Sequence, residues 1–374
     1  MNHNGMSKTV DFVSRDFWKD KRVFLTGHTG FKGAWLSLWL ADMGAEIYGY
    51  SLAPPTTPNL FEIAGVSKIV RRHHVASVHD PLELDAAIER AEPEIVIHMA
   101  AQAIVRRGYL NPIDTYMTNV MGTVHLLEAC RKRHSISAIL VVTTDKCYEN
   151  REWQWGYREV DLLGGRDPYS NSKACAELVT AAYRKSFYEL EPQTSVATAR
   201  AGNVIGGGDW ASDRLIPDLI RAHLAGSAPV IRSPNAIRPW QHVLEPLSGY
   251  LMLCQGLYEH RETMADAWNF GPALEDARPV SWIANRVANL WNGDAKWKLD
   301  TDRHPHEANY LYLDTTKARK ILGYKPRWPL SVALEQVVTW HKGMAVGSDM
   351  AALTLQQVRE FESTDPVTCH DAER

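Results

Sequence analysis

The tightest constraint on the fold lies near the amino terminus. There the apolar run Arg22-Val-Phe-Leu-Thr26 breaks directly into Gly27-His-Thr-Gly30-Phe-Lys-Gly33. Apolar residues then recur at helical spacing, at Trp35, Leu36, Trp39, Leu40 and Met43, until Gly44. Few folds accommodate a buried strand that turns through spaced glycines into a helix. One glycine permits the sharp turn, the next lets backbone amides approach a ligand, and the third lets the helix pack closely on the strand. Amides at the start of such a helix suit a pyrophosphate, so the segment predicts a parallel sheet that binds a dinucleotide.

The rest of the first half repeats this alternation. Strands are expected at 46–50, 75–78, 95–99, 138–144 and 195–200, with helices at 82–91, 113–133 and 169–188. Near-continuous apolar strands separated by helices imply an α/β fold, a doubly wound parallel (Rossmann) sheet covered on both faces. Beyond Ala201 the pattern becomes irregular and rich in Pro and Gly, with helices expected at 215–224, 246–258, 282–291 and 330–341 and short strands at 241–243 and 268–270. The expected organisation is a cofactor-binding unit at 17–200, a smaller mixed α/β substrate-binding part at 201–345 with some return to the sheet, and a weakly ordered tail at 346–374. The smaller part is expected to act as a lid without a core of its own.

Composition removes several function classes. The chain carries 41 Lys plus Arg against 44 Asp plus Glu, a net charge of −3, which gives no basic footprint for nucleic acid. No apolar run reaches the roughly 20 residues that cross a bilayer, and the first residues are too polar for a signal peptide. The 5 cysteines form no CxxC pair, which suits reduced thiols in the cytoplasm and not a disulfide frame. His73, His74, His304 and His306 lack a third ligand at compatible spacing, so no metal is expected. The 13 Trp divide between the first helix (Trp35, Trp39) and later loops (Trp153, Trp155, Trp210, Trp240), which are expected to shape the substrate pocket.

The cofactor is expected to be NAD. The second strand ends in Tyr48-Gly-Tyr50-Ser51 without the acid that commonly holds an adenosine ribose, and Ser51 is the nearest replacement. No Lys or Arg between Glu46 and Ser67 could meet a 2′-phosphate. Further on, Tyr169-Ser-Asn-Ser-Lys173 puts a phenol and an amine on one helix face, where Lys173 is expected to lower the pKa of Tyr169.

Together GHTGFKG, the Met99–Ala103 stretch MAAQA and YSNSK resemble the extended short-chain dehydrogenase/reductase family over most of the chain. The resemblance implies NAD on the amino-terminal sheet and a nucleotide-sugar against the carboxy-terminal part. It carries the cofactor contacts onto Gly27, Gly30, Phe31, Gly33, Asp80, Ala101, Gln102, Asn119 and Thr143, with Tyr169 and Lys173 beside them. It also implies a homodimer or homotetramer through a helix bundle. Within that family Thr143-Thr144-Asp145-Lys146, RAGNVIGGGDW at 200–210, RPWQHV at 238–243 and WNFGP at 268–272 are similar to the CDP-glucose 4,6-dehydratase family.

That resemblance implies removal of water from CDP-glucose by internal hydride transfer through NAD. Tyr169 takes the C4 hydroxyl proton, aided by Thr144 and Lys173, while Lys146 removes the C5 proton and Asp145 protonates the departing C6 hydroxyl. The two latter roles are open to exchange, since a lysine base must first lose its charge. Asn203, Arg238 and, more weakly, Arg214 are expected at the nucleotide-sugar, an Arg fork suiting its diphosphate. A dehydratase for UDP-N-acetylglucosamine, a 4-epimerase and a non-catalytic NAD sensor remain as alternatives.

Overall fold

The computed structural model describes residues 12–366 apart from 191–192, 292, 294–295 and 303–309. Seven strands form one parallel sheet: β1 (Arg22–Thr26), β2 (Glu46–Ser51), β3 (Arg72–Val75), β4 (Ile95–His98), β5 (Ala138–Val142), β6 (Ser195–Ala201) and β7 (Ala267–Phe270). Their spatial order is 7-6-5-4-1-2-3, so the strand order reverses beside β1, where open sheets bind ligands. β4, β5, β6 and β7 are buried throughout, as expected for strands covered on both faces.

The helices Phe31–Asp42 and Leu244–Glu259 cover one face with Trp35, Leu36, Trp39, Leu247 and Leu251, packed with Trp268 of β7. The helices Pro81–Ala91 and Gly122–Arg131 cover the other with Leu84, Ile88, Leu126 and Leu127. The helix expected at 113–133 is one continuous helical path, with a π-type turn at Met117–Met121 between Pro112–Tyr116 and Gly122–Arg131.

Four expectations need correction. The third strand lies at Arg72–Val75, ahead of the expected 75–78. It is the sheet's edge, and its register is set by pairing of Tyr48 with Arg72 and Ser51 with Val75, not by apolar content. Val78 instead packs with Leu84 and Ile88. The helix expected at 246–258 belongs with the sheet, not with the smaller part. The smaller part also has a core: the helices Leu215–Leu224, Val280–Trp291 and Leu330–Ala345 bring together Ile216, Leu219, Ile220, Ile283, Val287 and Leu334, capped by Trp210 and Trp240.

The last correction concerns the tail. Met350–Ser363 is a helix started by Asp349, whose side chain accepts from the amides of Ala351 and Ala352. Phe361 packs edge-on against Trp39 and Trp328 at 6.0 and 5.2 Å. Trp39 donates to Glu362 at 2.8 Å, and Arg15 pairs with Glu362 at 2.6 Å. This helix therefore closes the apolar face that Phe31–Asp42 would otherwise leave to water.

Candidate active site

The glycine turn sits where the carboxyl end of β1 meets the helix Phe31–Asp42. Gly27 has φ +78°, and a Cβ there would lie 2.8 Å from the Ala100 nitrogen. A Cβ on Gly33 would lie 2.1 Å from the Gly27 carbonyl oxygen. Both positions are thus closed to a side chain, and the chain can run this tightly only with glycine. The helix begins at Gly30 without a side-chain cap, which leaves its first amides for a ligand.

A cleft of about 1480 Å³ opens above this turn. It is lined on the cofactor side by Gly27, Gly30, Phe31, Gly33, Ser51, Ala101, Gln102 and Thr143. Thr144, Asp145, Lys146, Tyr169 and Lys173 line its centre, and Asn203, Arg214 and Arg238 its far side. Eight sequence-distant segments need not converge; that these do is the main result of the fold for function.

Two expected cofactor residues are not in the lining. Asp80 is exposed and caps the helix Pro81–Ala91, accepting from the Leu82 and Glu83 amides at 3.0 Å. Ser77 and Val78 line the cleft in its place. Asn119 is buried behind Gln102, accepting from its amide at 2.9 Å and donating to its carbonyl at 3.0 Å, so it positions the loop after β4. Thr143 reaches the cleft, but its hydroxyl donates to Glu177. Ser51 lies 2.7 Å from the Thr29 hydroxyl, which itself donates to the Leu52 carbonyl, so Ser51 is the donor and keeps its acceptor capacity.

Tyr169 is placed by helix capping. Asp167 accepts from the Ser170 amide at 3.0 Å and starts the helix Pro168–Tyr183, turning Tyr169 and Lys173 onto the face toward β5. Lys173 donates to the Val142 carbonyl at 3.0 Å. Burial brings its amine down to about 8. Burial likewise pushes Tyr169 up to about 12, opposed by a hydrogen bond with Thr144. The expected lowering of the phenol by Lys173 is therefore not what this chain alone does: desolvation dominates.

The Thr144 hydroxyl donates to Asp145 Oδ1 at 3.0 Å, and so joins Tyr169 to Asp145. Asp145 is 1% exposed, and its Oδ2 is buried without a hydrogen-bond partner. A Cβ on Gly202 would lie 1.9 Å from that oxygen, so the glycine leaves the room the carboxylate occupies. Lys146 stands at the rim, with its side chain 32% exposed and its Nζ 3.9 Å from Asp145.

On the far side Asn203 adopts φ +39° and its Nδ2 is buried without a partner. Arg214 pairs with Asp209 at 2.9 Å. Arg238 lies in the strand Ile237–Pro239 and donates to the Ile237 carbonyl at 2.9 Å. Among the described residues no cluster of three or more His, Cys, Asp or Glu could hold a metal ion.

Sequence reasoning missed Lys32, which lines the cleft from inside a motif read only for its glycines.

A doubly wound sheet with a glycine cradle at its reversal point, and a buried Tyr–Lys couple facing it, defines a dinucleotide-binding protein of the short-chain dehydrogenase type. Comparison with known families narrows this: residues 24–337 match the family described as GDP-mannose 4,6 dehydratase, and the chain belongs to it. It is 51% identical to the CDP-glucose 4,6-dehydratase of Salmonella typhimurium, over 94% of this chain and 99% of that protein. Among solved structures it resembles DesIV, the dTDP-glucose 4,6-dehydratase of Streptomyces venezuelae solved with NAD and TYD bound. The TM-score is 0.74 at 23% identity, covering 88% of this chain and 99% of that one. It also resembles the UDP-glucose 4-epimerase of Thermotoga maritima solved with UDP-glucose, with a TM-score of 0.73 at 18% identity, covering 86% and 99%. The two likenesses to solved structures share the fold; the site has to argue the chemistry.

Proposed function

We propose that the chain is a CDP-glucose 4,6-dehydratase, converting CDP-glucose to CDP-4-keto-6-deoxyglucose and water with NAD. The observation that carries this is the convergence of Thr144, Asp145 and Lys146 with Tyr169 and Lys173 in one cleft. A 4-epimerase moves a hydride and one proton, which the Tyr–Lys couple can serve. A dehydratase must also take a proton from C5 and give one to the departing C6 hydroxyl, and Asp145 with a neighbouring amine supplies that pair. The CDP moiety is supported by the 51% identical relative.

The glycine cradle, which any Cβ would fill, and the uncapped helix start fit the pyrophosphate of NAD. When bound, NAD would supply the acceptor for the C4 hydride, and its positive charge would favour ionised Tyr169. Tyr169 then takes the C4 hydroxyl proton. Through the Thr144 hydroxyl that proton has a path to Asp145, and Asp145 gives it to the C6 hydroxyl as water leaves. Asp145 is placed for that role, 1% exposed and 3.0 Å from the Thr144 hydroxyl. Asn203, Arg238 and Arg214 face the nucleotide-sugar from the far wall, with the arginines toward its diphosphate.

A homo-oligomer is supported by the apolar residues left exposed on the path Pro112–Arg131 and on the helix Pro168–Tyr183. Ile113 is 80% and Leu178 58% exposed, with Met117 and Met121 beside them. A second copy apposing the same helices would bury them as a bundle. No helix among the described residues is long and apolar enough to cross a membrane, and a cytoplasmic location is supported by free Cys130, Cys147, Cys175 and Cys254.

The test is a substrate panel: purified protein with NAD and, separately, CDP-glucose, dTDP-glucose, UDP-glucose and UDP-N-acetylglucosamine. Alkaline absorbance of a 4-keto-6-deoxy product is expected from CDP-glucose. Product from another sugar nucleotide and none from CDP-glucose would overturn the substrate assignment.

A further inference from the structure

The groups at the sugar and the arginines at the diphosphate leave one end of the nucleotide-sugar without a reader, its base. A base needs apolar surface for its faces and polar groups for its edge. The far wall of the cleft offers both, where the strand Val230–Ile231 lies beside the start of the helix Leu215–Leu224. Val230, Ile231, Leu215 and Leu219 line the cleft there. Ile231 and Leu219 are buried in one apolar cluster, whereas Val230 is 56% exposed.

Beside this apolar surface stand three charged side chains that also line the cleft. Arg232 follows the strand, and its Nη1 donates to Asp213 Oδ1 at 3.4 Å while its Nη2 donates to the Asp213 main-chain carbonyl at 3.4 Å. Arg106, on the helix Val105–Leu110 of the cofactor unit, meets the same Oδ1 at 3.2 Å. Both arginines use Oδ1, so Oδ2 keeps its acceptor capacity, and the Asp213 side chain is 37% exposed. Asp213 also has φ +62°, a left-handed backbone that side chains with a Cβ rarely adopt. Such outliers gather at ligand clamps. Nearer the centre of the cleft the carboxylates are committed elsewhere: Asp145 to the chemistry, Asp167 to a helix start and Asp209 to Arg214.

A carboxylate acceptor beside guanidinium donors complements the edge of cytosine. Its N4 amino group donates, and its N3 and O2 accept. Uracil and thymine carry the reverse at the first two positions, an O4 acceptor and an N3–H donor. Their O4 would face the carboxylate and their N3–H the guanidinium. We propose that Asp213 and Arg232 are specificity-determining residues that read the cytosine edge, Asp213 accepting from N4 and Arg232 donating to N3 and O2. Arg106 holds Asp213 in place from across the cleft. This rests on the dehydratase reading above and names the residues by which the enzyme chooses its nucleotide.

The experiment measures kcat and KM for CDP-glucose and UDP-glucose in the wild-type enzyme, Asp213→Asn and Arg232→Gln, with a melting temperature for each. Titration calorimetry with CDP and with UDP repeats the comparison without chemistry. Asparagine can turn its amide N–H toward an O4 acceptor. Asp213→Asn is therefore expected to lower the ratio of kcat/KM for CDP-glucose over UDP-glucose by about 5- to 100-fold. The change should lie mainly in a higher KM for CDP-glucose, with UDP-glucose improved in absolute terms. Arg232→Gln should also raise KM for CDP-glucose and lower the ratio. A loosened site would instead lose both substrates together. Equal losses on both substrates, or a ratio within about twofold of wild type in both variants, would overturn the proposal. So would a wild-type enzyme that binds CDP no more tightly than UDP. A wild-type enzyme that acts on no sugar nucleotide, yet binds CDP in preference to UDP through these two residues, would remove the dehydratase reading and leave the base reading standing.

Discussion

Glu177 offers the sharpest test of how the site is held. Its side chain and that of Arg200 are each 3% exposed and meet at 2.8 Å. Thr143 and Thr198 donate to the same carboxylate, and Thr143 is the first residue of the segment that carries Asp145. Burial alone would raise the Glu177 carboxyl, but Arg200 and the two hydroxyls outweigh it and hold the group below its ordinary value. Glu177→Gln removes the charge and leaves the Arg200 guanidinium buried. Losing one partner of a buried pair costs about 3–5 kcal/mol. Arg200 retains the Tyr148 hydroxyl at 2.6 Å and the Glu159 carbonyl at 3.2 Å, which places the loss near about 3 kcal/mol. At roughly 2 °C or less per kcal/mol for a chain this long, the melting temperature should fall by about 5 °C. Circular dichroism at pH 7 reads this directly. Glu177→Met combined with Arg200→Met should recover more than half of the loss, because no unpaired charge remains. The pH dependence has a definite sign. A carboxyl depressed in the folded state stabilises above its unfolded pKa of about 4.5, and that stabilisation disappears as pH falls through the folded value. Glu177→Gln should therefore flatten the acid limb below about pH 4.5. A single variant melting within about 1 °C of wild type, or a double variant no better than the single, would refute the reasoning.

Further expectations follow from the same geometry. Tyr169→Phe should lower kcat by about 100- to 10,000-fold while NAD still binds, read by steady-state product formation and by quenching of tryptophan fluorescence. Gly33→Ala drives a Cβ to within 2.1 Å of the Gly27 carbonyl, so it should weaken NAD by at least about tenfold and lower the melting temperature together, since the helix must move. Phe361→Ala should cost about 3–5 kcal/mol, as for other buried aromatics, because it opens a cavity beside Trp39 and Trp328; chemical denaturation followed by fluorescence reads it. Ile113→Glu with Leu178→Glu should shift the mass seen by light scattering to that of one chain if the exposed apolar helices meet a second copy.

What could be read in the sequence was whatever a short-range rule imposes. The glycine turn, the alternating strands and the Tyr169–Lys173 spacing all express local geometry, and each fell where expected except the third strand, an edge strand placed by its pairing with β2. Asp80 illustrates the opposite case. An aspartate before a proline is both a helix-start signal and a plausible cofactor contact, and only the side chain's two bonds to helix amides show which role it fills. The helix Met350–Ser363 was not legible because two of its five buried residues, Thr354 and Gln357, are polar, so it carries no clear apolar stripe. Both owe their burial to partners far away in sequence: Thr354 accepts from Trp340, and Gln357 donates to the Gln336 carbonyl. That Lys32 shares a cleft with Asp145 and Arg214 could not be found by pattern, because the fold brings those residues there from other segments.

The central claim is that one cleft oxidises C4, expels the C6 hydroxyl and returns the same hydride to C6. CDP-glucose deuterated at C4, turned over in ordinary water and examined by NMR, tests it most directly. Deuterium is expected at C6 of a 4-keto-6-deoxy product, with a solvent proton at C5. Deuterium retained at C4 in an epimerised sugar, or lost to free reduced cofactor, would contradict it.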